Sequence, residues 1–102
     1  MATFKKKLPA IHPGEVLLEE FMKPLDLSAN KLALELHVPS NRLVAIVNLR
    51  RAISADTALR LARYFNTSAD FWMNLQARYD LQQAEDERAA AIAREVRPRD
   101  AA

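Results

Sequence analysis

SANKLALELHVPSNRLVAIVN, residues 28–48, decides the fold. Its apolar residues recur at helical spacing in two short runs, Leu32, Ala33 and Leu36 in the first and Leu43, Ile46 and Val47 in the second. Ser28 and Ser40 stand where a side-chain oxygen caps the first amides of a helix. The spacing therefore predicts one helix from Ser28 to about Leu36 and another from Ser40 to about Asn48, with about three residues between them. Two helices this short and this closely joined cannot lie side by side as a hairpin, and such a turn sets them roughly perpendicular. Leu32, Ala33, Leu36, Val38, Leu43 and Ile46 are the positions that hold the pair together, with the small Ala33 where the helices approach. This is helix-turn-helix spacing.

The flanks extend the same reading. Pro13 opens a helix that carries Val16, Leu17, Phe21 and Met22 on its apolar side and stops before Pro24. After Asn48, a loop through Arg50 and Arg51 leads to Ser54, which caps a fourth helix with Ala58, Leu61, Ala62 and Phe65 inward. That helix ends at Asn66, a residue tolerant of the left-handed conformation. Ser68 starts a fifth helix with a stripe of Phe71, Trp72, Leu75 and Tyr79, which passes into Glu85-Asp86-Glu87-Arg88. From Ala89, alanines, charges and Pro98 predict a marginal helix and then a frayed tail. One glycine in 102 residues and no alternating strand pattern make the fold class all-α. Three segments are expected: an N-terminal arm at 1–11, the helix-turn-helix domain at 12–84, and a C-terminal helical extension and tail at 85–102.

Half of the 102 residues are apolar, enough for one domain with a single modest core. The absence of cysteine excludes disulfide frameworks, thiolate metal sites and cysteine nucleophiles, and suits a reducing compartment. No apolar run reaches the roughly 18 residues that span a bilayer, and Lys5-Lys6-Lys7 is followed by Pro9, His12 and Pro13 rather than a signal core. A cytoplasmic location without membrane contact is expected. Two histidines, His12 at a helix entry and His37 in a turn, and one glycine, Gly14, make neither a catalytic constellation nor a phosphate cradle. No His and carboxylate pair recurs at ligand spacing, so no enzyme, metal or cofactor is expected. The net charge of +2 is uninformative, but its distribution is not: −3 over residues 12–27, +4 over 28–63 and −4 over 64–87. A polyanion is drawn to the middle segment.

At 100° per residue, Leu43, Ile46 and Val47 mark the buried side of the second helix of the pair, so Ser40, Asn41, Val44, Ala45 and Asn48 point away from it. An asparagine pairs with adenine through two hydrogen bonds, and apolar Val44 and Ala45 suit a thymine methyl. The alternative for Val44 is burial against a loop. Arg42, at the edge of this face, either reaches guanine with two hydrogen bonds or lies along a phosphate. Candidate phosphate contacts are Asn30, Lys31, Arg50, Arg51 and Ser54, each of which is otherwise a solvated surface group. The partner expected is double-stranded operator DNA. The Phe71, Trp72, Leu75, Tyr79 stripe is core, dimer contact or partner site.

Four stretches, His12 to Leu17, Leu27 to Ile46, Arg51 to Phe65 and Phe71 to Gln76, together resemble HigA-type (VapI-like) antitoxins of the XRE family over roughly residues 11–84. The resemblance implies a five-helix, lambda-repressor-like DNA-binding domain that works as a homodimer. It also implies a type II toxin-antitoxin pair, in which the chain neutralises a small basic mRNA-cleaving endoribonuclease and represses its own operon. Against a basic toxin, the acidic Glu15, Glu19 and Glu20, or the run Asp80 to Glu87, are the complementary surfaces. A stand-alone helix-turn-helix regulator and a protein-interaction module are the alternatives. Where such proteins often have glycine, this chain has His37 and Leu49, and Ala29 replaces a polar residue used near a phosphate. Histidine tolerates the left-handed region better than leucine does, so Asn48 rather than Leu49 is expected to take the left-handed cap, turning Asn48 away from the bases.

Overall fold

The computed structural model describes residues 10–100, so the expected N-terminal arm lies almost wholly outside the described residues. His12 sets the first helix: its Nδ1 accepts the Gly14 amide at 2.8 Å, and the buried ring lies edge-on to Tyr79 at 4.8 Å. Helix α1 (Pro13–Val16) runs directly into a π-helical segment, Leu17–Met22. A plain α-helix was the expectation from sequence. The wider winding, with the Lys23 amide donating to the Leu18 carbonyl at 2.9 Å, brings residues five apart toward one side, and both Leu17 and Met22 are buried.

Four further helices follow: α2 (Ala29–Leu36), α3 (Ser40–Val47), α4 (Ala55–Phe65) and α5 (Ala69–Glu95). Ser28, Ser54 and Ser68 cap α2, α4 and α5 by accepting the amides of Lys31, Thr57 and Phe71. Ser40 makes no such cap. Extended Pro39 occupies the cap position of α3, and Ser40 is the first helical residue. The proline side chain has no oxygen to accept a first-turn amide, so this end of α3 opens without a side-chain cap.

Four residues take the left-handed conformation among those described, Asp26, His37, Leu49 and Asn66, and none is glycine. His37 and Asn66 match the sequence reading. Leu49 does not: it holds φ 64°, while Asn48 stays near the helical region at φ −90°, ψ 11°. The reason lies in the hydrogen bonds. The Leu49 amide donates to the Ile46 carbonyl at 3.0 Å and the Arg50 amide to the Ala45 carbonyl at 2.8 Å. This paired closure satisfies the last carbonyls of α3 and offsets the roughly 1–2 kcal/mol that a left-handed leucine costs.

One cluster forms the core, with Leu17, Met22, Leu32, Ala33, Leu36, Leu43, Ile46, Ile53, Ala58, Leu61 and Trp72 all buried. Phe21 closes one end against Phe65 and Trp72, each with ring centroids 5.0 Å away. The α5 stripe divides: Trp72 is core, Phe71 is 37% exposed, and Leu75 and Tyr79 are half-buried. Beyond Ala89, where a marginal helix and then a frayed tail were expected, α5 continues unbroken to Glu95. Ala89 to Glu95 consists largely of strong helix formers. The helix stops at Val96, before the residue that Pro98 biases toward extended backbone.

Candidate nucleic-acid interface

Helix α3 is fixed from behind by Leu43 and Ile46, both buried, and from α1 by the absence of a side chain at Gly14. A Cβ there would overlap the Ile46 carbonyl group. What α3 turns outward is the face expected from its periodicity. Ser40, Asn41 and Asn48 are exposed, Val44 is 38% exposed and Ala45 is half-buried. Val44 is thus not sealed beneath a loop. Asn48 remains on the last turn, its amide donating to the Val44 carbonyl at 3.0 Å, and so is not bent away from this face.

Arg42 behaves differently from its neighbours. Its Nη1 donates to Asp56 Oδ2 at 2.8 Å and lies 3.5 Å from Thr57 Oγ1, both in the first turn of α4. Arg60 Nε donates to the same Asp56 oxygen at 2.8 Å, and its Nη1 donates to the Leu36 carbonyl at the end of α2 at 2.9 Å. Hydrogen bonds from Arg60 and then Arg42 hold the Asp56 carboxyl below the ordinary carboxylate value. One exposed carboxylate therefore joins α2, α3 and α4. Asp56, Thr57 and Arg60 were absent from the sequence-predicted site. The i,i+4 spacing of Asp56 and Arg60 was visible, but nothing local in the sequence brings Arg42 to them across 14 residues.

The candidate phosphate residues fall into two groups. Asn30 and Lys31 are exposed in the first turn of α2, where Lys31 pairs with Glu35 at 3.0 Å. A surface pair of this kind contributes roughly 0–1 kcal/mol and is readily exchanged for another anion. Arg50, Arg51 and Ser54 lie between α3 and α4. The Ser54 hydroxyl is engaged within its own helix, accepting the Thr57 amide and approaching Thr57 Oγ1, each at 3.3 Å, which leaves first-turn amides as what α4 offers an anion. Arg50 and Arg51 border a shallow cleft with His12, Gln76, Tyr79 and Asp80. Gln76, buried on α5, anchors that loop by accepting the Ile53 amide at 2.8 Å. Sequence reasoning missed it, since a glutamine at a core position looks like any polar helix residue.

On α5, Phe71, Leu75 and Tyr79 line an open groove with Ile11 and Val16. Leu81, Ala89 and Ile92 form a second apolar strip further along. Among the described residues no helix is long and apolar enough to cross a membrane.

Comparison with known proteins fits this architecture. The helix-turn-helix family pattern matches residues 18–72. Virulence-associated protein I of Dichelobacter nodosus is 54% identical over 84 residues, 82% of this chain and 78% of that protein. The Pseudomonas aeruginosa antitoxin HigA, solved with the higBA promoter, superposes with a TM-score of 0.86 at 47% identity, over 87% of this chain and 97% of that one. Antitoxin GraA in complex with its operator superposes with a TM-score of 0.88 at 39% identity, over 97% of this chain and all of the other. Matched over more than half its length by that pattern and paired closely with HigA and GraA in structure, the chain belongs to the XRE-type helix-turn-helix family.

Proposed function

We propose that this chain is the antitoxin of a type II toxin-antitoxin pair: a dimer that binds operator DNA through α3, represses its own operon and neutralises an mRNA-cleaving toxin. The observation that carries the DNA-binding part is the outward face of α3, where Ser40, Asn41, Val44 and Asn48 are exposed beside the half-buried Ala45. Polar and small apolar groups on one side of a short helix are what base edges in a major groove require. Arg42 belongs to this face as a base or phosphate contact. Asn30, Lys31, Arg50, Arg51 and the start of α4 at Ser54 fix the register on the backbone. HigA and GraA, solved with their own promoter and operator, support the same reading.

In this reading residues 12–84 carry DNA binding, and the extension at 85–102 adds surface for a second copy or for the toxin. The groove of Phe71, Leu75 and Tyr79 and the exposed Leu81 and Ile92 supply apolar area for the homodimer. The acidic residues Glu15, Glu19 and Glu20, or the run Asp80 to Glu87, complement a small basic toxin.

Two experiments test it. Purified protein should retard the DNA upstream of its own gene, and Asn41→Ala should abolish retardation without changing the thermal unfolding curve. Equal retardation by wild type and variant would take α3 out of its assigned role. For the toxin, expression of the adjacent small basic reading frame alone should arrest growth, and coexpression of this chain should restore it. Failure of rescue with each neighbouring gene, beside intact DNA binding, would leave a stand-alone regulator.

A further inference from the structure

Asp56 lies one helix away from the base-reading face, yet it is the acceptor that fixes Arg42. The guanidinium gives Nη1 to the carboxylate at 2.8 Å, and its side chain keeps 24% of its exposure, against 56% for Asp56. From the other side Arg60 grips the same oxygen at 2.8 Å and is itself tied to the Leu36 carbonyl at 2.9 Å. A cation is favoured at that C-terminal end of α2. The carboxylate is thus held by Arg60 independently of Arg42, which favours its staying in place when the Arg42 side chain moves. While this bond is kept, Arg42 is confined to the orientations compatible with it.

Charge decides what such an arginine can do. Arg42 and Asp56 together are neutral, so the pair is a poor ligand for a phosphate, which rewards net positive charge, and the carboxylate itself repels one. The donors not engaged by Asp56 are unaffected. A guanidinium carries five N–H groups in a rigid fork, and one nitrogen bound to Asp56 leaves the others for a planar acceptor pair. Guanine presents such a pair, O6 and N7, in the major groove. The excess positive charge of the trio resides on Arg60, anchored to α2.

We infer that Asp56 is a positioning residue for DNA recognition: held by Arg60, it orients Arg42 to read a guanine in the operator, so that preference at one base pair depends on a side chain that does not touch DNA. The inference rests on the DNA-binding reading above.

The test compares wild type, Asp56→Asn, Arg60→Ala, Arg42→Ala and Arg42→Lys on duplexes of the gene's own upstream site, each with one base pair replaced. Wild type should show one G·C pair whose replacement weakens binding about tenfold or more. Asp56→Asn should flatten that position to within a few-fold while the other positions keep their preferences, and Arg60→Ala should flatten it in part. Arg42→Ala and Arg42→Lys should flatten it fully, and Asp56→Asn added to Arg42→Ala should change the profile no further. Asparagine is isosteric with aspartate at this exposed site, and a thermal melt for each variant separates misfolding from misreading. If Asp56→Asn weakens all duplexes equally, or leaves the profile as in wild type, the positioning role is overturned. If Arg42→Ala lowers the salt dependence by about one phosphate contact without flattening any position, Arg42 is a phosphate ligand and the inference also falls. Wild-type protein that fails to bind the parent duplex would instead remove the DNA-binding reading itself.

Discussion

Gly14 of α1 passes so close to Ile46 of α3 that a Cβ on the glycine would stand 2.8 Å from the Ile46 carbonyl carbon and far inside the contact distance of its oxygen. The obstacle is backbone on both sides, so no side chain can move to make room. Gly14→Ala must therefore push α1 away from the C-terminal turn of α3. The cost is expected at the upper end of overpacking penalties, about 3 kcal/mol, read from urea unfolding. Because the displaced turn carries Asn48, operator binding should weaken beyond what the unfolded fraction explains. An unchanged midpoint would show that α1 slides freely over α3.

This contact also marks what the sequence conceals. The helices themselves are legible: serines at 28, 54 and 68 announce their starts, Asn66 ends α4, and the wheel of α3 separates Leu43 and Ile46 from Asn41 and Asn48. These are local signals, set within one or two turns. The features that escaped are of two kinds. Some depend on partners distant in sequence, such as Arg42 with Asp56 or Gln76 with Ile53. Others are choices between near-degenerate local states: α or π winding at Leu17–Met22, Pro39 or Ser40 as cap, Asn48 or Leu49 in the left-handed corner. Packing and hydrogen-bond closure decide those by a kcal/mol or two, which residue propensity alone does not resolve.

Leu49 offers a direct measurement of one such choice. It holds φ 64° and is 48% exposed, so a glycine there gives up roughly 1 kcal/mol of half-buried leucine surface but escapes the left-handed penalty of about 1–2 kcal/mol. Against this stands the larger entropy of glycine in the unfolded chain, about 0.5–1 kcal/mol. Leu49→Gly should therefore be close to neutral, within about 1 kcal/mol of wild type, seen as a nearly unchanged denaturant midpoint. A loss of about 2 kcal/mol or more would mean that Leu49, which lines the cleft beside His12, contributes more there than its exposure suggests.

Arg51 tests the phosphate assignments. It is exposed in the loop between α3 and α4, where a cation affects binding through counterion release and not through base identity. Arg51→Ala should weaken operator and unrelated DNA by similar factors and reduce the slope of log K against log salt by about one. Titrations at several salt concentrations, with the operator and a scrambled duplex, would read both effects. A loss confined to the operator would move Arg51 from the backbone to the bases.

His12 makes the fold sensitive to pH through its buried ring. Burial lowers its pKa from the ordinary 6.5, against an opposing pull from the Asp80 carboxylate. The unfolded chain then takes up the proton first as pH falls, so the stabilisation is complete above about 6.5 and is lost progressively below it, toward the lower folded value. Structure gives the same sign, since Nδ1 must stay unprotonated to accept the Gly14 amide. Thermal unfolding should give a lower Tm at pH 5.5 than at pH 7.5. His12→Asn keeps an acceptor for that amide but does not titrate, and its Tm should be nearly level across the same interval. A variant that loses as much stability as wild type on acidification would place the sensitivity elsewhere in the fold.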